Sequence, residues 1–142
     1  MLEIKLLGPT DIHYLNNVAQ DVFDDPIVES YAQEFLNDPR YRLVIALDNN
    51  VVVGFVSAVI YLHPDKPAPE LWINEIGVTP SHQRQGIGKA LLQHLLEDAK
   101  KVGCAEAWVL TDRMNMPAMA MYKSAGGVEI LPDPTMFTFK LQ

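Results

Sequence analysis

Cysteine is nearly absent. Cys104 is the only one, so no internal disulfide can form, and the fold must rest on its core. It lies in an apolar run, where a buried, inert thiol is expected rather than a nucleophile. Long hydrophobic runs are missing too, since nothing approaches the roughly 20 apolar residues of a membrane helix. The N-terminus carries Glu3, Lys5 and Asp11 in place of a secretion signal, so a cytoplasmic location without a membrane partner is expected. Positive charge is scarce. Eleven Lys and Arg against 18 Asp and Glu leave a net charge of −7, the wrong sign for gripping a phosphate backbone, which argues against nucleic acid. The same sign would draw in a cationic small molecule. His13, His63, His82 and His94 show no ligand spacing with a carboxylate or the thiol, so no metal is expected. Repeats are also lacking, and 142 residues with 49% hydrophobic content fit one domain spanning 1–142.

What is present alternates in period. Residues 2–7 read as a strand closed by Gly8 and Pro9, after which Thr10 is placed to cap a helix carrying Ile12, Leu15, Val18, Ala19 and Val22 as far as Asp24. Asp25 and Pro26 break it, and a second helix is expected from about Val28 to Leu36. Residues 41–47 and 51–61 are β-branched and aromatic, joined by Asp48, Asn49 and Asn50 as a hairpin turn. A proline-rich loop from His63 to Glu70 precedes a strand over 71–78. A helix follows with Leu91, Leu92, Leu95, Leu96, Ala99 and Val102 on its apolar stripe, Lys100 and Lys101 in its last turn and Gly103 as its stop. A strand over 104–111 completes a strand–helix–strand unit whose length indicates a parallel crossover. A short helix over 117–125 and strands near 128–131 and 136–141 are expected to end the chain.

The segment Gln83, Arg84, Gln85, Gly86, Ile87 and Gly88 stands at the start of the long helix. Its glycines let the backbone turn tightly and approach a ligand, and the helix end offers unpaired N–H groups with partial positive charge. Arg84 and Lys89 add fixed charge in an otherwise acidic chain. A diphosphate would fit there, and so would a plain glycine-softened helix start flanked by solvated cations. A Walker loop is excluded because position 83 is Gln83 and Lys89 is followed by Ala90. A GxGxxG dinucleotide fingerprint is excluded because position 91 is Leu91.

With that loop complete, and with Asn115, Ala118, Tyr122 and Gly126 spaced along a short helix after the next strand, the sequence resembles the GCN5-related N-acetyltransferase family. The likeness runs over nearly the whole chain. Within that family the wording of NEIGV, HQRQGIGKALL and AMAMY is similar to the aminoglycoside 3-N-acetyltransferases of the first type. The sequence departs from them at Arg113, Met114, Asn115 and Met116, where those enzymes are more acidic. The resemblance implies an α/β fold of the α+β kind: a mixed, mostly antiparallel sheet, helices on both faces and a central parallel β-α-β crossover.

It also implies transfer of an acetyl group from acetyl-CoA to a primary amine, by direct attack of the amine on the thioester. Glu75 is carried over as the base that takes the ammonium proton directly or through water, although a solvated strand carboxylate is the plain alternative. Tyr122 is carried over as the acid for the coenzyme A sulfur, against a packing tyrosine on the Ala118, Met121 and Ala125 face. Ile76, Gly77 and Val78 would line the pantetheine with the amide of Val78 as a donor, and a bulge is expected at Gly77. The amides of Gln85 to Lys89 would hold the pyrophosphate, Asn115 would cap its helix or touch the cofactor, and His82 would be structural or neighbour the phosphates. Asp24, Asp25, Glu75 and Asp112 would meet a cationic acceptor such as an aminoglycoside, linking the chain to antibiotic resistance, though Asp112 equally suits a turn. Acetylation of a protein amine and a non-catalytic acyl-CoA-binding module remain as alternatives. The apolar ending Met136, Phe137, Phe139 and Leu141 permits a homodimer.

Overall fold

The hairpin most plainly written in the sequence organises the sheet. In the computed structural model, which describes residues 1–142, β2 (Tyr41–Asp48) and β3 (Val51–Tyr61) pair antiparallel across Asn49 and Asn50, whose φ angles are 50° and 67°. Consecutive left-handed residues match the twist of a hairpin, and asparagine tolerates that region better than most residues. β1 (Leu2–Leu6) pairs antiparallel with β2, β4 (Glu70–Val78) antiparallel with β3, and β5 (Glu106–Val109) parallel with β4. The order is β1-β2-β3-β4-β5. Parallel β4 and β5 require a crossover, which α2 (Ile87–Lys101) provides.

Each face of this sheet has its own apolar cover. On one, Leu91, Leu92, Leu95 and Ala99 of α2 pack on Val44, Val56, Ala58, Leu71 and Ile73. On the other, Leu15, Val22 and Leu36 pack on Leu43, Ile45, Val52 and Phe55. That second cover comes from a 3-10 turn at Ile12–Asn16, the loop after it, and α1 (Glu29–Asn37). Arg42 of β2 reaches Asp98 of α2 at 2.8 Å, tying the sheet to the helix. The C-terminus of α2 closes as its sequence indicates: Gly103 has φ 91° and the Cys104 N–H donates to the Ala99 carbonyl at 3.0 Å.

Several expected elements differ. The helix expected from Ile12 to Asp24 stops at Asn16, because the Ala19 N–H donates to Val52 O and the Val52 N–H to Asn17 O. The backbone groups that would continue the helix are spent on a bridge between Val18 and Val52. Thr10 caps nothing; instead Asp11 accepts from the Gly8 N–H at 2.7 Å. The strand expected over 104–111 contracts to Glu106–Val109, since Ala105 donates to Pro69 O before it and the chain turns at Asp112 after it. Residues 128–131 and 136–141 form no strands, so the parallel crossover lies at the end of the sheet. Phe137, Phe139 and Leu141 are left 79%, 83% and 91% exposed. Arg113 pairs with Glu129 and, at 2.6 Å, with Asp133, holding the start of that segment beside the turn before α3 (Met116–Ser124).

Candidate active site

β4 and β5 pair from Glu70↔Glu106 to Ile73↔Val109 and no further, although β4 runs on to Val78. From Asn74 to Val78 its β5-facing edge is therefore unpaired, which leaves a cleft beyond the last β4–β5 pair. A register shift on the β3 side accompanies this. Ala58 opposes Ile73 and Ser57 opposes Glu75, which leaves Asn74 as an extra residue. Such a bulge bends and twists a strand. It also re-aims side chains: Ile73 stays with Ala58 in the α2 core, while Glu75 joins Ser57 on the opposite face. Strict alternation would have put Ile73 and Glu75 on the same face.

The bulge expected at Gly77 is thus found at Asn74. Gly77 is needed for close approach, because a Cβ there would lie 2.5 Å from the Val22 carbonyl oxygen and 3.0 Å from the Phe55 ring. That contact brings the loop bearing Asp24 and Asp25 to the end of β4 where Glu75 stands. Thr79 Oγ1 donates to the Gln20 carbonyl at 2.7 Å, and Phe23 stacks on Phe55 at 4.1 Å, fixing the same loop. Asp24 and Asp25 are exposed there, on the Glu75 face.

At the other end of the cleft the chain turns into α2. Arg84 has φ 63° and Gly86 φ 80°, and Gly86 occupies the N-cap position without any side-chain cap. None of the amide N–H groups from Arg84 to Lys89 donates to a protein acceptor; the first to do so is Ala90, to Gly86 O at 3.0 Å. A row of free donors at a helix N-terminus fits a pyrophosphate. The side chains of Gln83 and Gln85 instead brace the loop, donating to Val78 O at 3.0 Å and Ser81 O at 3.4 Å. Arg84 is exposed, Lys89 half-buried, and neither is held in an ion pair. The Ile87 side chain is buried in the α2 core and anchors the loop, while its amide stays among the free donors. Gly88 lets α3 pack close, since a Cβ there would meet Met121 Sδ at 2.7 Å and Ile76 at 3.9 Å.

α3 completes the cleft. Asn115 accepts from the Ala118 N–H at 3.2 Å, a side-chain N-cap, and Gly126 leaves the helix with φ 97°. Tyr122 is half-buried against the α2 core, and its hydroxyl has no protein partner. Burial pushes its pKa above the usual 10, so the phenol stays protonated. Asp112 is exposed and accepts from the Met114 N–H at 2.8 Å, which makes it the turn former before α3.

His82 binds elsewhere: its Nε2 lies 2.7 Å from Asp48 and its Nδ1 2.8 Å from Ser81 Oγ, a structural tie from the loop to the β2–β3 turn. Hydrogen bonding to His82 lowers the Asp48 pKa. Cys104 is half-buried, and burial raises its pKa, as suits an unreactive thiol. Trp72, Trp108 and Tyr61 were not singled out from the sequence, yet they form an aromatic group on the Glu75 face of the sheet. Trp72 and Trp108 stack at 5.1 Å, and Tyr61 meets Trp108 edge-on at 6.1 Å. Their even spacing from neighbouring acidic residues on two strands was the available signal.

Comparisons with known proteins bear on the family and the fold. Residues 11–126 match the family model described as Acetyltransferase (GNAT) family. Among curated proteins, the ribosomal protein bS18-alanine N-acetyltransferase of Salmonella typhimurium is 35% identical over 126 residues, covering 89% of this chain and 80% of that protein. The corresponding protein of Escherichia coli K12 is 42% identical over 57 residues, so the match spans 40% of this chain and only 38% of that protein. Among solved structures, an aminoglycoside acetyltransferase from an uncultured soil metagenomic sample, in complex with trehalose, superposes with a TM-score of 0.84. It is 23% identical, with 99% of this chain and 97% of that chain covered. The aminoglycoside N-acetyltransferase AAC(6')-Iy in complex with CoA gives a TM-score of 0.76 at 21% identity, with 100% and 96% covered. At those identities the structures establish the fold. Because the family match takes in every element from the first 3-10 turn to the end of α3, the chain belongs to the acetyltransferase (GNAT) family, whose members use acetyl-CoA.

Proposed function

We propose that this chain, an N-acetyltransferase by family, acetylates a primary amine on a cationic small molecule, of which aminoglycosides are the model. The observation that carries the reading is the cleft between β4 and β5, with Glu75 turned by the bulge to one face and the free amides of Arg84 to Lys89 at its end. Acetyl-CoA supplies an activated thioester there. The loop amides, with Arg84 and Lys89, hold the pyrophosphate, and the open edge of Ile76, Gly77 and Val78 pairs with the pantetheine. Glu75 takes the proton from the incoming ammonium, directly or through water, so that the neutral amine can attack. Tyr122 gives a proton to the departing sulfur, and Asn115 keeps its helix in place by capping it. Asp24, Asp25, Glu75 and Asp112 attract the cation.

The curated relatives support a second reading, in which the acceptor is the N-terminal amine of a protein, because the relative spanning 89% of this chain is a ribosomal protein-alanine N-acetyltransferase. A thiol-release assay with acetyl-CoA over aminoglycosides, linear polyamines and peptides beginning with alanine decides between them. The small-molecule reading expects turnover of the cationic ring compounds, lowered about 10²- to 10⁴-fold by Glu75→Gln. Turnover confined to peptides would replace it with the second reading, and acetyl-CoA binding without turnover of any amine would leave a binding module. The exposed apolar residues Phe137, Phe139 and Leu141 support a homodimer, which light scattering would test.

A further inference from the structure

On the face that carries Glu75, the cross-strand rows of β4 and β5 alternate in chemistry. The first row pairs Glu70 with Glu106, the next pairs Trp72 with Trp108, and beyond the bulge stands Glu75. An aromatic step therefore lies between carboxylates at both ends, with roughly 15 Å of strand from Glu70 to Glu75. The step is rigidly backed. Trp108 donates its indole N–H to the Tyr61 hydroxyl, Tyr61 donates to Glu70 Oε1 at 3.0 Å, and His63 lies 3.1 Å from Glu70 Oε2. The polar atoms of Tyr61 and Trp108 are thus used within the group. Trp72 is stacked on Trp108 at an interplanar angle of 11°, yet remains 38% exposed, so part of the indole is open to solvent. Beside it, Val59 and Ser57 of β3 form a half-buried floor reaching to Glu75.

We infer that Trp72, backed by Trp108, determines specificity by stacking on a ring of the acceptor, and that the acceptor carries ammonium groups on either side of that ring. This rests on the proposed small-molecule reading and names the acceptor's shape within it. Charge complementarity sets the class: an indole face attracts C–H groups polarised by a neighbouring cation, and the exposed carboxylates of Glu106 and Glu75 take the ammonium groups. A ring covers more of such a face than a linear chain does.

The chain has two tryptophans, and both lie in this group, so intrinsic fluorescence reports on it directly. Neamine, a two-ring tetramine, is titrated against spermine, a linear tetramine, with the full chain saturated with CoA so that no turnover occurs. Neamine is expected to bind roughly 3- to 10-fold tighter and to change the emission. Trp72→Ala is expected to remove that preference, and Trp72→Phe to keep most of it, with melting curves confirming that each variant is folded. If Trp72→Ala does not fold, the comparison of Trp72→Phe with Trp72→Leu carries the same test. Equal binding of the two amines, neamine binding without a change in emission, or a preference that survives loss of the aromatic ring would overturn the inference. Thiol release with either amine, measured separately, shows whether the acetyl-transfer reading stands by itself.

Discussion

Tyr122 places a hydroxyl without a partner on a side chain otherwise fixed by packing. With its pKa raised by burial, it remains the neutral phenol across the working range, and any alkaline loss of activity below pH 10 belongs to another group. Tyr122→Phe removes one oxygen that bonds to nothing in the protein. The expected result is a fall in kcat of roughly 10²-fold, with acetyl-CoA affinity within about 2-fold and an unchanged melting temperature. A variant with full kcat would show that the residue only packs. The motif made Tyr122 visible in the sequence, as it did Gly86 and Asn115, because each role depends on near neighbours. Asp112 suited two roles there, and the hydrogen bond that it accepts from the Met114 N–H accounts for the turn.

Between elements, three glycines separate different physical demands. At Gly77 an added Cβ meets a backbone oxygen at 2.5 Å, which cannot swing aside, so Gly77→Ala must lift the Asp24 and Asp25 loop from β4. A loss of about 1–3 kcal/mol in unfolding free energy is expected, together with a larger rise in KM for a cationic acceptor than for acetyl-CoA. At Gly88 the obstacle is the flexible end of Met121, so Gly88→Ala should destabilise less in the same denaturant titration. Gly86 has open space around it and φ 80°, so Gly86→Ala costs about 1–2 kcal/mol through the backbone alone. Calorimetry should show weakened acetyl-CoA binding in that variant, because the loop amides lose their aim.

For the molecule as a whole, charge sets two expectations. The net charge of −7 attracts a cationic acceptor over a distance that salt shortens to a Debye length of about 10 Å at 0.1 M, so the acceptor's KM should rise with ionic strength. A KM independent of salt would remove electrostatic attraction from the account. Stability should fall at acid pH. The Arg40 side chain holds the Asp38 carboxyl at about 2 against the usual 3.8, and Asp48 and Glu129 are lowered by hydrogen bonds to His82 and Arg113. A carboxylate whose pKa is lower in the folded chain stabilises it above the unfolded value, and that contribution is lost as pH falls through the folded value. For Asp38 the window runs from about 4 down to about 2. Melting curves across it should flatten in Asp38→Asn.

The sequence by itself determined the features that rest on a few consecutive residues: the Asn49–Asn50 turn, the apolar stripe and glycine stop of α2, and the helix-start loop at Gln83 to Gly88. Only the tertiary structure decided which face Glu75 occupies, since that follows from the register of β4 against β3 and the extra residue Asn74. It also replaced the helix expected to Asp24 with a bridge to Val52, and left 128–141 without strands. Pairing between distant segments competes for the same backbone hydrogen bonds as local structure, and local periodicity carries no record of which distant partner wins.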